Sequence, residues 1–170
     1  MEEFNVVDFQ TPPWLCRHLV EKLEKVIPKS ALVVEPTPGA GNMLEALKAA
    51  GYTNVESPPG NFFDWRPSGK PVAVVGNPPW TPNTLAYKVL DRCLEFGPAF
   101  VVMLMPWVTV TNSDSRAQRL KAAGLQTVIS LPRSVFPGVR LNACVLVIEP
   151  GTQADYLTLL LPTVEELGKE

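Results

Sequence analysis

Four short stretches of unbroken apolar sequence constrain the fold before anything else does. Ala31-Leu32-Val33-Val34, Val72-Ala73-Val74-Val75, Phe100 to Met105 and Cys144 to Ile148 contain no polar side chain. A strand with one face in water alternates apolar and polar residues, so unbroken runs of this length belong to strands covered on both faces, as in a parallel sheet. Between them lie helical patterns. Leu15, Leu19, Leu23, Val26 and Ile27 recur at helical spacing after Thr11-Pro12-Pro13, which reads as a hydroxyl cap followed by proline at the helix start. Residues 42–50 are helical up to Gly51, 82–95 carry Leu85, Val89, Leu90 and Leu94 at helical spacing, and 113–123 form a charged amphipathic helix. Asn54 to Ser57 and Thr127 to Leu131 read as two further strands. The expected architecture is α/β, a sheet of about six strands with helices on both faces and one antiparallel strand near the C-terminus. Tyr156 to Leu161 is marked as an extra strand outside that count.

Composition narrows the function classes. With 170 residues, 46% of them hydrophobic, the chain supports one buried core and is read as a single domain over residues 1–170. Fifteen basic against 17 acidic residues give a net charge of -2, so any polyanion site must be local. Cys16, Cys93 and Cys144 are far apart, form no C-x-x-C pair, and cannot complete a zinc site with the lone His18. No metal is expected, and the thiols are expected to be reduced in a cytoplasmic protein. The opening MEEFNVVDFQ lacks a signal-peptide core, and no apolar run reaches membrane-spanning length. The 18 prolines are roughly double ordinary usage and mark special backbone.

Two turns carry chemistry. After the first apolar run comes Glu35-Pro36-Thr37-Pro38-Gly39-Ala40-Gly41-Asn42, a G-x-G turn between strand and helix. Glycines there allow close approach of a ligand to backbone, and the helix N-terminus favours polar or anionic groups. The third glycine of the dinucleotide fingerprint is missing, since position 44 is Leu, and by itself the segment also fits a ligand-free turn. Glu35, however, stands at the carboxyl end of the strand, where parallel sheets form their ligand crevice. A carboxylate there suits an ammonium or sulfonium and suits a pyrophosphate poorly.

The second turn is Asn77-Pro78-Pro79-Trp80, reached through Gly76 from the strand at 72–75. Such a tetrapeptide arises by chance on the order of once in a thousand chains of this length. Two prolines stiffen the turn and fix where the Pro78 carbonyl points. The Asn77 side-chain oxygen and that carbonyl can then accept both hydrogens of one planar NH2 group, holding its lone pair out of conjugation and aimed at an electrophilic carbon. Trp80 offers a flat face to a heterocycle. The amine loses its proton after attack, so no tuned general base is required.

Together these turns resemble the first motif and the catalytic motif of class I methyltransferases that use S-adenosylmethionine, in particular amino-methyltransferases acting on adenine. The resemblance runs from Phe9 to about Pro150, and it implies the Rossmann-like methyltransferase fold and S-adenosylmethionine as cofactor. It implies that Asn77 and Pro78, backed by Pro79, grip the target amine while Trp80 stacks on the ring. Phe9, Gln10 and Thr11 resemble the segment that meets the methionine part, joined by Glu35, Pro36, Gly39, Gly41 and Asn77. Asn61 and Phe62, in Gly60 to Trp65, resemble the segment that meets the cofactor's adenine, shared with Asp64, and Glu56 stands where the ribose acid is expected. The loop 131–142 resembles one that closes over a flipped base: Phe136 is a second stacking partner or simply core, and Arg133 and Arg140 are the phosphate contacts. Only 14 residues separate Ser57 from Val72, too few for a helix and a strand, so the family's third strand is expected to be missing, with 54–57 near a sheet edge.

The activity implied is methylation of the exocyclic amine of adenine in DNA, on a base that is single-stranded or flipped from the duplex. Adenine in RNA, glutamine in a protein, and a non-catalytic S-adenosylmethionine-fold binding protein are the alternatives. Relatives with this motif order carry a target-recognition domain after the last strand. In its place a homodimer or an accessory recognition subunit is expected, with nucleic acid as substrate and no membrane.

Overall fold

The computed structural model describes residues 10–82, 84–111, 113–136, 142–153 and 157–168. In chain order the elements are α1 (Pro13–Glu24), β1 (Val33–Val34), α2 (Asn42–Ala49), β2 (Val55–Glu56), β3 (Ala73–Gly76), α3 (Leu85–Glu95), β4 (Phe100–Pro106), α4 (Val108–Thr111), α5 (Asp114–Ala123), β5 (Leu125–Ser130), β6 (Ala143–Ile148) and β7 (Thr158–Leu160). Single 3-10 turns sit at Phe62–Asp64 and Arg133–Val135. None of the described helices is long and apolar enough to cross a membrane.

One sheet takes in all the described strands, in the order β2-β1-β3-β4-β6-β5-β7. β6 runs antiparallel to β4 and β5, and the other neighbours are parallel. β3 and β4 are buried along their whole length, which accounts for their unbroken apolar sequence. From β1 the chain crosses to β2 on one side, and from β3 it crosses to β4 on the other. Right-handed crossovers therefore put α2 and α3 on opposite faces. Leu15, Cys16, Leu19, Val20 and Leu23 form the buried stripe of α1, which packs on α2. The sheet order reverses between β1 and β3, and that switch point opens a crevice at their carboxyl ends.

Three details depart from expectation. The sheet has seven described strands rather than about six: the seventh, β7, falls in the segment marked as an extra strand. Its three residues are exposed, with Leu157 and Leu161 exposed beside them, so it shows none of the burial that makes the central strands legible. Thr11 does not cap α1. Pro12 holds the N-cap position without a side-chain bond, Pro13 opens the helix, and the Thr11 carbonyl is taken up by Asn42 Nδ2 at 2.9 Å. The one-turn helix α4, directly after the β4 proline, is not foreseen by any periodicity. The short connection behaves as its length requires: between β2, at the sheet edge, and β3 there is only the 3-10 turn, and no strand.

Two glycines with positive φ test how tightly the sheet's far side is built. Gly124 closes α5 at φ +91°, and a Cβ there would fall 2.2 Å from the Glu149 carbonyl oxygen, whereas Gly151 at φ +85° has open space. Left-handed backbone alone costs an L residue about 1–2 kcal/mol. Gly151→Ala is therefore expected to lose about 1 kcal/mol, and Gly124→Ala about 3 kcal/mol or more, in urea unfolding. Equal losses would mean that the contact at Glu149 is not a constraint.

Candidate active site

At the switch point lies a cavity of about 380 Å³. One wall is the turn after β1, including Glu35, Thr37 and Gly39; the other is Asn77 to Trp80 after β3. The sequence separates these turns by some forty residues, and the parallel pairing of Val33 with Ala73 and Val34 with Val74 sets them side by side.

Glu35 is the anchor of the first wall. Its main-chain N–H donates to the Glu56 carbonyl at 3.0 Å, extending the β1–β2 ladder by one residue. Its side chain is 1% exposed and takes the Thr37 main-chain N–H on Oε1 at 2.8 Å. No Lys, Arg or His forms an ion pair with it among the described residues. Burial pushes its carboxyl up to about 8, while the bonds from Thr37 pull the other way. Space for this side chain is left by Gly76, where a Cβ would come within 2.8 Å of Glu35 Oε1 and 3.0 Å of Pro36 Cδ.

The glycine turn is held by Gln10. Its Oε1 accepts the Ala40 N–H at 2.9 Å, and at Gly39, φ +51°, a Cβ would lie 2.5 Å from that same oxygen, so a side chain there would displace Gln10 from the turn. Gly41 is the N-cap of α2 at φ +91° and provides no side-chain cap, so it shapes the helix entrance without lining the cavity. Gln10, Thr11, Glu35, Pro36, Gly39 and Phe62 are thus gathered on one cavity with Asn77, Pro78, Pro79 and Trp80.

Glu56, Asn61, Arg133 and Phe136 are not among the residues that line this cavity. The Glu56 carboxylate accepts from Ser68, from the main-chain N–H at 2.8 Å and from the hydroxyl, and ties down the loop before β3. Asn61 Oδ1 caps the 3-10 turn through the Phe63 N–H, and its Nδ2 donates to Asp64 Oδ2 at 2.7 Å, so these two side chains hold each other. Phe136 packs edge-on against Trp80, with ring centroids 5.7 Å apart and planes at 75°. The two rings touch and leave no slot for a base between them. Arg133 is exposed three residues earlier. Phe9 and Arg140 fall outside the described residues.

Some cavity residues carry no signal that the sequence reading used. Thr37 sits between the prolines of the first turn, Met43 comes from the first turn of α2, and Pro58-Pro59 closes the end beyond β2. No local pattern marks Thr37, because the partner of its hydroxyl is the Asn77 main-chain carbonyl, forty positions away. All three cysteines are buried free thiols, pushed up by burial, and no cluster of metal-ligating side chains occurs among the described residues.

No protein-family model matches the chain, and no curated protein sequence does. Solved structures match its fold. A protein of Listeria monocytogenes described as a class I S-adenosylmethionine-dependent methyltransferase aligns at a TM-score of 0.68 and 14% identity, over 93% of this chain and 67% of its own. A chain from a type I restriction-modification system reaches 0.73 at 19% identity, over 98% of this chain and 48% of its own. A 23S rRNA methyltransferase reaches 0.59 at 16% identity, over 89% and 71%. This chain therefore spans about two thirds of the first and just under half of the second. At these identities the likeness is one of architecture, and that architecture is the Rossmann-like fold of class I methyltransferases.

Proposed function

We propose that the chain is the catalytic domain of an S-adenosylmethionine-dependent methyltransferase acting on the exocyclic amine of adenine in DNA. The observation that carries this reading is a single cavity walled on one side by a buried acid without a cationic partner and on the other by Asn77-Pro78-Pro79-Trp80. The cofactor fits what is there. The buried Glu35 has no cationic partner among the described residues, the glycine turn admits close approach, and Phe62 gives an apolar wall. Glu35, Gly39, Gln10 and Thr11 would hold the methionine end and Phe62 the adenine end. When bound, S-adenosylmethionine supplies a methyl carbon made electrophilic by its sulfonium.

The chain's own contribution is positioning. The Asn77 side-chain oxygen and the Pro78 carbonyl accept the two hydrogens of the target amine, so its lone pair turns out of the ring's conjugation toward the donor side of the cavity. Trp80 carries the ring, and Phe136 must rotate off it for a base to stack. The amine proton leaves to solvent after transfer. A base inside a duplex cannot reach this depth, so the substrate is single-stranded or flipped. The restriction-modification neighbour supports DNA, and recognition contacts then come from an accessory subunit or a second copy. Buried, unpaired thiols support work in the cytoplasm.

Transfer of tritiated methyl groups to denatured DNA, duplex DNA, RNA and protein pools tests the reading. Denatured DNA is expected to be labelled most, and Asn77→Ala is expected to lower kcat at least about a hundredfold while changing cofactor affinity far less. Faster labelling of RNA would move the assignment to RNA, and absence of S-adenosylmethionine binding in calorimetry would remove it altogether.

Glu35 gives a second test. A carboxyl raised from 4.5 to about 8 on folding binds its proton more tightly in the folded chain. Its contribution to stability is complete below pH 4.5 and is lost as the pH rises through about 8. The urea midpoint of the ligand-free wild type is therefore expected to fall between those pH values relative to Glu35→Gln. A cationic ligand needs the ionised form, so S-adenosylmethionine affinity should climb by about tenfold per pH unit below the shifted value in wild type, and stay flat in the variant. Parallel profiles would show that Glu35 does not face the ligand's positive charge.

A further inference from the structure

Resting on the methyltransferase reading above, we infer that Thr37 is a positioning residue for methyl transfer: its hydroxyl sets the target-amine grip at a fixed place relative to the donor side of the cavity. Its main-chain N–H donates to Glu35 Oε1 at 2.8 Å, and its Oγ1 donates to the Asn77 main-chain carbonyl at 3.1 Å. The same hydroxyl stands 3.5 Å from Glu35 Oε1, but it has one proton, and the shorter contact is the one to Asn77. One residue thus spans the two walls of the cavity, from the buried acid to the turn that holds the amine.

The bond falls on an effective point. The Asn77 carbonyl belongs to the peptide that joins Asn77 to Pro78, and that peptide is planar. Fixing its oxygen orients the whole plane, including the Cα atoms at either end. The Asn77 side chain leaves from the first of these. The Pro78 carbonyl carbon follows the second through a φ that the proline ring locks, and the carbonyl's direction is narrowed because Pro79, next in the chain, holds the ψ of Pro78 to the extended region. Both acceptors of the amine grip are therefore aimed by a single hydroxyl. Glu35, at the other end of the bridge, is fixed by burial and by the strand ladder, so Thr37 refers the grip to a rigid part of the sheet.

Thr37→Val removes the hydroxyl at nearly constant volume and keeps the main-chain bond to Glu35, and Thr37→Ser restores the donor. Expected for Val is a fall in kcat of about tenfold to a hundredfold with the calorimetric Kd for S-adenosylmethionine within about threefold of wild type, and Ser recovering most of the rate. Thr37→Val with undiminished kcat overturns the role. So does a Kd that rises in step with the rate loss, which would place Thr37 on the cofactor side only. Because Asn77-Pro78 is the sequence's one Asn-Pro pair, carbonyl-13C asparagine with 15N proline labels this carbonyl uniquely. Its shift is expected to move upfield in Val and to return in Ser, and an unmoved shift overturns the bridge whether or not a substrate is in hand. Wild-type protein that labels no pool refutes the parent reading instead, and leaves the carbonyl shift to report on the bridge alone.

Discussion

The structure depends on keeping one carboxyl group, that of Glu35, dry at the point where the sheet changes direction. A buried ionised acid without a cation is costly, and burial answers that cost here by holding the proton on the carboxyl up to about pH 8. Room for the side chain comes from a strand residue without one, Gly76, and partial satisfaction comes from Thr37. The parallel pairing of β1 and β3 brings the Asn77 turn against the same group. The acid, the glycine turn and the Asn-Pro-Pro-Trp turn are consequently one construction, and the cavity is the space left among them.

Much of this was legible in the chain. The central strands declared themselves because they are buried on both faces, and burial on both faces leaves no polar residue to interrupt the run. The missing strand after β2 followed from length alone. The cavity's two principal turns were placed correctly because strand-end position in a parallel sheet is itself a location in space. Where reading failed, local signals gave way to tertiary ones. Thr11 looked like a cap, yet it was drawn into the contact with Asn42, leaving Pro12 at the cap position. β7 lies inside the segment marked as an extra strand, but it pairs through its backbone at an edge with exposed side chains, so burial gives no reason to count it with the others.

The site residues divide in the same way. Glu35 and Asn77 to Trp80, singled out because their chemistry is uncommon for their position, line one cavity. Glu56, Asn61 and Asp64 do not line it, and their side chains bond locally, Glu56 to Ser68 and Asn61 to Asp64. Such short-range partners are invisible until the loop's path is known. Thr37 shows the converse: an ordinary residue made consequential by what lies forty positions away, which no local pattern could announce.

Gly76 has an implication for how this site can vary. A methyl group there would strike the Glu35 carboxylate and the Pro36 ring together, so the length of the acid on β1 and the absence of a side chain on β3 are a single choice shared by two strands. A shorter acid at position 35 would draw its carboxylate back and free volume beside β3, but the Pro36 ring, 3.0 Å from the same point, would still crowd a Cβ at 76. A side chain at 76 therefore asks for a change at two neighbouring positions of the first turn, the acid and the proline after it.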